Sequence, residues 1–214
     1  SSLAVFLIPL IALLLSYDCF VSEQESGTLL LLLTYPMSKT QLLIGKFIGQ
    51  GGIIALATLI GFGLSAGVLY WQMGTIDVVH AFALFILTAI LLGLSFTAIA
   101  YIISISVAEK SKAAGLALIV WFFFALVFDL ALLATLVGVE DGLSQNGLTQ
   151  AMMFNPADIF RLVNLAGLDK SDVNGAIAVA INSSLSQGQL LSILTVWVIA
   201  PLAIATLIFR NKKL

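Results

Sequence analysis

The sequence predicts an all-α bundle of membrane-spanning helices, and three observations carry that reading. Of the 214 residues 61% are hydrophobic and only 9% charged, with a mean hydropathy of +1.14, whereas a soluble domain devotes about 25% of its residues to charge. The apolar sequence is gathered into five runs, at about 2–20, 41–71, 78–107, 113–137 and 189–209, and a helix needs about 20 mostly apolar residues to cross a bilayer core. Within hydrocarbon every backbone amide must be bonded inside its own segment, so these runs are helices and irregular backbone is confined to the connections. A chain of this size forms one transmembrane domain over 1–214 in a multi-pass membrane protein, with the lipid bilayer as its principal surroundings.

Orientation follows from the basic residues, because lysine and arginine near span ends stay in the cytoplasm. Lys39, Lys46, Lys110, Lys112, Arg210, Lys212 and Lys213 fall on one side of the alternating topology, and Arg161 and Lys170 on the other. The connections at 22–40 and 108–112 and the C-terminal tail are therefore expected in the cytoplasm, and 138–188 outside. The first run then enters from outside, so a further upstream span is expected, six in all with both ends cytoplasmic.

Each element has a local cause. After the first run, Ser22 and Glu25 make a capping-box pattern, in which the hydroxyl and the carboxylate satisfy orphan amides at a helix start. A cytoplasmic helix over about 22–34 is expected, with Leu29, Leu30, Leu32 and Leu33 on its apolar face and Pro36 ending it, since proline lacks the amide donor and restricts the residue before it. Ser38 and Gln41 repeat the capping pattern and open the second run, where Gly45 with Gly49 and Gly63 with Gly67 are small-residue spacings suited to close helix approach. The second and third runs exceed what a core of about 30 Å needs at about 1.5 Å per residue, so they tilt or project.

The fourth run carries Asp129, which at bilayer depth costs about 2.5–3.5 kcal/mol and so should face the bundle interior, a cavity or a neighbouring subunit. Without a basic residue near it in sequence, it reads equally as a polar point on a translocation route or gate and as a helix-to-helix hydrogen bond. In the outer segment, Asn155, Pro156 and Asp158 read as an N-cap, a first-turn proline and an acid facing the helix dipole. Ile159, Phe160, Leu162, Val163 and Ala166 give that helix an apolar face, and a second short helix is expected from about Ser171 or Asp172 through Ile181.

Catalytic classes are thinly supported. There is no Gly-x-x-x-x-Gly-Lys-Ser/Thr loop, so the chain cannot hydrolyse ATP by the P-loop route, and no His-Glu-x-x-His pair. One histidine and one cysteine cannot make a three-ligand zinc site without several carboxylates. Met152, Met153, His80 and Cys19 are soft or borderline metal ligands, but the topology splits them across two membrane faces, so no metal site and no cofactor is assigned to this chain. A net charge of -2 without a basic cluster gives no reason to expect nucleic acid.

The string Tyr17-Asp18, Glu23, Glu25, Gly27-Thr28-Leu29, Pro36 and Gly45-Lys46 resembles the signature of ABC-2 type transporter permeases, where it lies between the second and third of six spans. Trp121-Phe122-Phe123-Phe124 with Asp129, and Phe154-Asn155-Pro156-Ala157-Asp158-Ile159-Phe160-Arg161, are similar to one branch of that family, which assists maturation of nitrous-oxide reductase. The resemblance implies a permease subunit that is not itself an enzyme, homodimeric, and coupled to a separate cytoplasmic ATPase subunit that holds ATP and Mg. It further implies a periplasmic solenoid partner and a sulfur- or copper-related cargo, exported for copper-site assembly. On this reading Glu23, Glu25, Gly27, Thr28 and Leu29 couple the ATPase to the bundle, Asp129 serves translocation or gating, and Phe154, Asn155, Pro156, Asp158 and Arg161 dock the external partner. The alternative is a secondary transporter or channel using Asp129.

Overall fold

The computed structural model describes residues 2–138, 145–165 and 186–212. These form the helices α1 Ser2–Ser16, α2 Val21–Glu25, α3 Thr28–Leu32, α4 Lys39–Met73, α5 Ile76–Ser106, α6 Lys110–Phe122, α7 Phe128–Gly138, α8 Gln145–Met152, α9 Pro156–Leu165 and α10 Gln187–Asn211, with a π-helical turn at Phe123–Val127 between α6 and α7. No strand is present among the described residues. Five helical stretches are long and apolar enough to cross a membrane: Leu3–Glu25, Lys39–Met73, Ile76–Ser106, Lys110–Thr135 and Gln187–Asn211. The expected second outer helix near 171–181 lies outside the described residues.

The third span, α5, is the axis of the bundle, and α1, α4 and α10 pack around it. Its composition explains why. Thr88, Ser95, Thr97 and Ser104 are fully buried along it; the Thr88, Ser95 and Thr97 hydroxyls donate to the carbonyls of Leu84, Leu91 and Gly93 one turn back at 2.8–3.0 Å. Such back-bonded hydroxyls satisfy themselves without a solvent, leaving small surfaces for neighbouring helices. By contrast α4 presents Ile48, Ile53, Leu56, Leu59, Ile60, Leu64 and Val68 outward, all more than half exposed, as suits a helix facing lipid tails. With 35 and 31 residues, α4 and α5 are about 52 and 46 Å long at about 1.5 Å per residue, so both project beyond the hydrocarbon. They are joined by a tight outer turn in which Gly74 takes a left-handed conformation, φ 67°, at no Cβ cost.

Two glycines set the α4–α5 approach, and they are not those the spacing suggested. A Cβ on Gly45, Gly49, Gly63 or Gly67 would meet nothing within 4 Å. On Gly51 it would lie 2.7 Å from Leu94 Cδ2, and on Gly93 2.8 Å from Ile54 Cγ2. The period-four glycines therefore meet no other helix among the described residues, while the close α4–α5 contact uses one glycine from each helix. Overpacking a tight core costs about 1–3 kcal/mol. Gly93→Val is accordingly expected to lower the detergent melting temperature by several degrees, while Gly63→Ala and Gly67→Ala leave it unchanged; equal effects at the two kinds of site would refute this assignment of the contact.

The ends are capped by sequence-local devices. Ser38 Oγ accepts from the Gln41 amide and Gln41 Oε1 from the Ser38 amide, and Ser186 and Gln189 repeat the reciprocal pair at the start of α10. The 22–34 segment differs from expectation. Ser22 does not cap: its hydroxyl donates to the Asp18 carbonyl at 2.6 Å, because the chain already arrives helical at Phe20. The amides of Phe20 and Val21 are met instead by Ser104 Oγ of α5, at 2.9 and 3.1 Å. Nor is the element one helix. Gly27, at φ 73°, breaks it into α2 and α3, an elbow hung beneath the first two spans.

Candidate functional site

Two polar clusters stand out against the apolar bundle, one at each membrane face. At the face that the charge rule assigns to the cytoplasm, the opposite face being the outer one on the same expectation, the elbow is pinned through its acids. Glu23 pairs with Lys46 of α4 at 2.5 Å, and Lys46 Nζ also donates to the Cys19 carbonyl at 2.8 Å and sits 4.8 Å from the centre of the Phe20 ring. Glu25 Oε1 accepts from the Lys110 amide at 2.6 Å, so it caps the start of α6 in the place where an anion best meets the helix dipole. Lys110 Nζ reaches back to Asp18 at 2.8 Å. From the C-terminal end, Lys212 Nζ donates to Gln24 Oε1 at 2.7 Å and to the Ile105 carbonyl at 2.6 Å. The elbow is thus tied to the second, third, fourth and fifth spans at once.

This arrangement redistributes the residues that the sequence marked. Glu23 turns in towards Lys46, Glu25 stays exposed while accepting from the Lys110 amide, and Leu29 is 2% exposed, packed with Phe20, Leu42, Leu43, Phe47 and Phe209. Gly27 supplies the bend, and Thr28 starts α3 with its hydroxyl 2.8 Å from Ser26 Oγ. What the elbow leaves exposed is Glu25, Ser26, Gly27 and Thr28 with Leu30 and Leu31, the leucines 57% and 65% exposed. The sequence pattern left Leu31 off the apolar face but could not separate Leu29 from Leu30, because the αL residue at Gly27 resets the helical phase.

At the outer face α9 is not a surface helix. It is inserted among α1, α5 and α10, with Asn155, Pro156, Ala157, Asp158, Ile159, Phe160, Leu162 and Val163 buried. Asn155 caps it, its Oδ1 accepting from the Ala157 amide at 3.0 Å, and its Nδ2 donates both to the Phe124 carbonyl at 2.9 Å and to Asp158 Oδ2 at 3.0 Å. The Phe124 carbonyl lies in the π turn, where the α-helical ladder is interrupted and a backbone acceptor is open to a side chain. Phe160 meets Phe85 of α5 edge to face, centroids 5.4 Å apart, and Asn164 donates to Thr88 at 3.0 Å. Trp197 of α10 donates to the Met153 carbonyl at 3.0 Å just before α9.

Charge completes this site. Arg161 Nη1 donates to Asp129 Oδ2 of α7 at 2.6 Å and to Asp158 Oδ1 at 2.9 Å, with the guanidinium 5.8 Å from the Phe6 ring centre of α1. Asp129 therefore has a basic partner, 32 residues away in sequence, which inspection of its own run could not reveal. The same contact joins the residue assigned to gating with three of those assigned to docking, Asn155, Asp158 and Arg161, and Pro156 is buried beside them. Of that docking set only Phe154 is prominent at the surface, 70% exposed. Burial pushes the Asp158 carboxyl up to about 7, and the neighbouring Asp129 adds to the rise against the opposing Arg161. Among the described residues no three His, Cys, Asp or Glu side chains converge as a metal centre would require.

The bundle thus carries an acid-anchored elbow at one face and a plugged, ion-paired half at the other. Residues 2–214 match the ABC-2 family transporter protein model, and the chain belongs to that family. It is 48% identical, over all of its own length and 79% of the other's, to a Pseudomonas aeruginosa protein described as probable ABC transporter permease protein NosY. A Stutzerimonas stutzeri protein of the same description is 45% identical, over 99% of this chain and 78% of that one. The chain is thus a multi-pass permease subunit, and the secondary-transporter alternative gives way to it.

Proposed function

We propose that this subunit is driven by a separate cytoplasmic ABC ATPase, carrying the ATP and Mg, which docks on the elbow, and that the chain acts as a homodimer exporting a sulfur- or copper-related species for maturation of nitrous-oxide reductase. The observation that carries the ATPase half is the elbow itself. Its acids are spent on contacts with two spans, α4 and α6, while Leu30 and Leu31 project from a surface that a partner groove can cover. A push at this tip reaches α4 through Glu23–Lys46 and α6 through Glu25, without bending the spans. The cargo rests on the resemblance of the 154–161 segment and on the similarity to proteins described as NosY. Phe154, exposed beside the outer plug, is the contact offered to a periplasmic solenoid protein.

The test is co-purification of the full-length protein with its candidate ATPase, comparing the wild type with Leu30→Glu/Leu31→Glu. Truncating an interface hot spot costs about 2 kcal/mol or more, and here each substitution also places a carboxylate in an apolar contact, which is costly when unpaired. The double substitution is expected to reduce recovered ATPase at least tenfold while leaving the yield and melting temperature of the permease intact. Undiminished ATPase recovery by the variant would remove the elbow tip from the interface.

A further inference from the structure

The Asp129–Arg161–Asp158 cluster does more than neutralise a buried charge, because it has one carboxylate too many. Both acids converge on the same guanidinium nitrogen, at 2.6 and 2.9 Å. With both ionised the cluster carries one net negative charge in a region of low dielectric, where an uncompensated charge is costly; with one proton it is neutral. The side-chain exposures are 28% for Asp129, 17% for Arg161 and 1% for Asp158, so the proton belongs on Asp158, within hydrogen-bonding reach of Asp129.

The geometry around it is that of a joint. The outer half of the fourth span, α7, has Leu130 and Leu133 exposed at 64% and 49%. It is held to the bundle by Leu132 against the Met152–Leu194 cluster and by the Asp129 ion pair. One turn before it lies the π segment, whose Phe124 carbonyl is held by Asn155. The charged groups facing Asp158 are Asp129 from α7 and Arg161 from its own helix. The other neighbours of this plug contribute uncharged groups: the Phe6 ring of α1 over Arg161, Thr88 of α5 on Asn164 and the Trp197 indole of α10 on Met153.

We propose that Asp129, Arg161 and Asp158 form a proton-controlled latch, which holds the outer half of the fourth span against the α9 plug when the cluster carries a proton and releases it, about the π turn, when the proton leaves. The sign follows from linkage. A carboxyl raised above its ordinary range binds its proton more tightly in the latched state than in the open one, so latching is favoured at low pH and weakens as pH rises towards and through about 7. The outer solution, not the cytoplasm, sets this occupancy. The device is independent of which cargo passes and of the ATPase.

Electron-electron resonance distances in nanodiscs test it on the full-length protein, with other cysteines replaced and nitroxides at Leu133→Cys on α7 and Trp71→Cys at the outer end of α4. The wild-type background is expected to give one narrow distance at pH 5.5 and a second population at pH 8.5, with the transition centred near pH 7. Asp158→Asn, an uncharged isostere of the protonated acid, is expected to keep the narrow distance at both values. A distribution that does not change with pH in the wild-type background, or a pH response preserved in Asp158→Asn, overturns the latch. Neither readout needs ATP hydrolysis or cargo, so failure here is distinct from failure of the transport reading.

Discussion

Arg161→Ala is expected to be the most damaging single substitution in the outer half of the protein, and Asp129→Asn/Asp158→Asn in the same chain to repair most of the harm. Removing the arginine leaves two carboxylates facing one another, one of them 1% exposed, with no cation among the groups that face them. Breaking a buried pair by deleting one partner costs about 3–5 kcal/mol, mostly the penalty of the charge left behind, whereas replacing all members by neutral groups is often close to harmless. The measurement is the fraction of protein that remains monodisperse in detergent through a thermal ramp at pH 8. Arg161→Ala is expected to lose most of its folded fraction, and the triple variant to recover it. If the single and triple variants fall equally, the guanidinium acts through its packing against Phe6 and not through charge.

The second large effect is expected at the other membrane face. In Glu23→Arg/Glu25→Arg, an arginine confronts Lys46, whose natural partner lay 2.5 Å away, and another stands at the N-terminal end of α6 in place of the cap to the Lys110 amide. Deleting one side of a buried hydrogen-bonded charge pair costs about 2–5 kcal/mol; with Glu23 and Lys46 part exposed and Glu25 exposed each deletion costs less here, but two reversed charges add repulsion, so the elbow should detach from its struts and ATP hydrolysis by the assembled complex should fall at least tenfold. Adding Lys46→Glu restores an opposite-charge pair at position 23, and hydrolysis is expected to recover in part. No recovery would mean that the carboxylates contact the ATPase directly. Together with Leu30→Glu/Leu31→Glu this separates two roles in nine residues: acids that hold the elbow to the spans and leucines that meet the partner.

The caps show where local sequence was enough. Ser38–Gln41 formed its reciprocal pair because both groups belong to one turn of one helix. Ser22–Glu25 has the same spacing and formed nothing of the kind, since the chain is already helical there: the Ser22 and Gln24 amides bond the Asp18 and Phe20 carbonyls, and the amides left open at Phe20 and Val21 are met by Ser104, 84 and 83 residues away. Likewise glycines four apart are visible in any sequence, but which glycine meets a partner depends on how α4 is rotated against α5, and that rotation is decided by Leu94 and Ile54.

By itself the sequence determined the class of the protein: apolar run length and the ban on unsatisfied amides in lipid leave only a helical bundle, and the distribution of lysine and arginine predicts how it is oriented. Those are properties of composition and spacing, which need no knowledge of what touches what. Only the tertiary structure decided that Glu23 and Glu25 bond to α4 and α6, that Leu30 and Leu31 point out, and that Asp129 shares Arg161 with Asp158. Electrostatic pairing falls off over a few ångströms, and the distances that matter here join residues 23, 32 and 85 positions apart along the chain. A left-handed glycine and a single π turn, each invisible to helical periodicity, are what bring those side chains within reach.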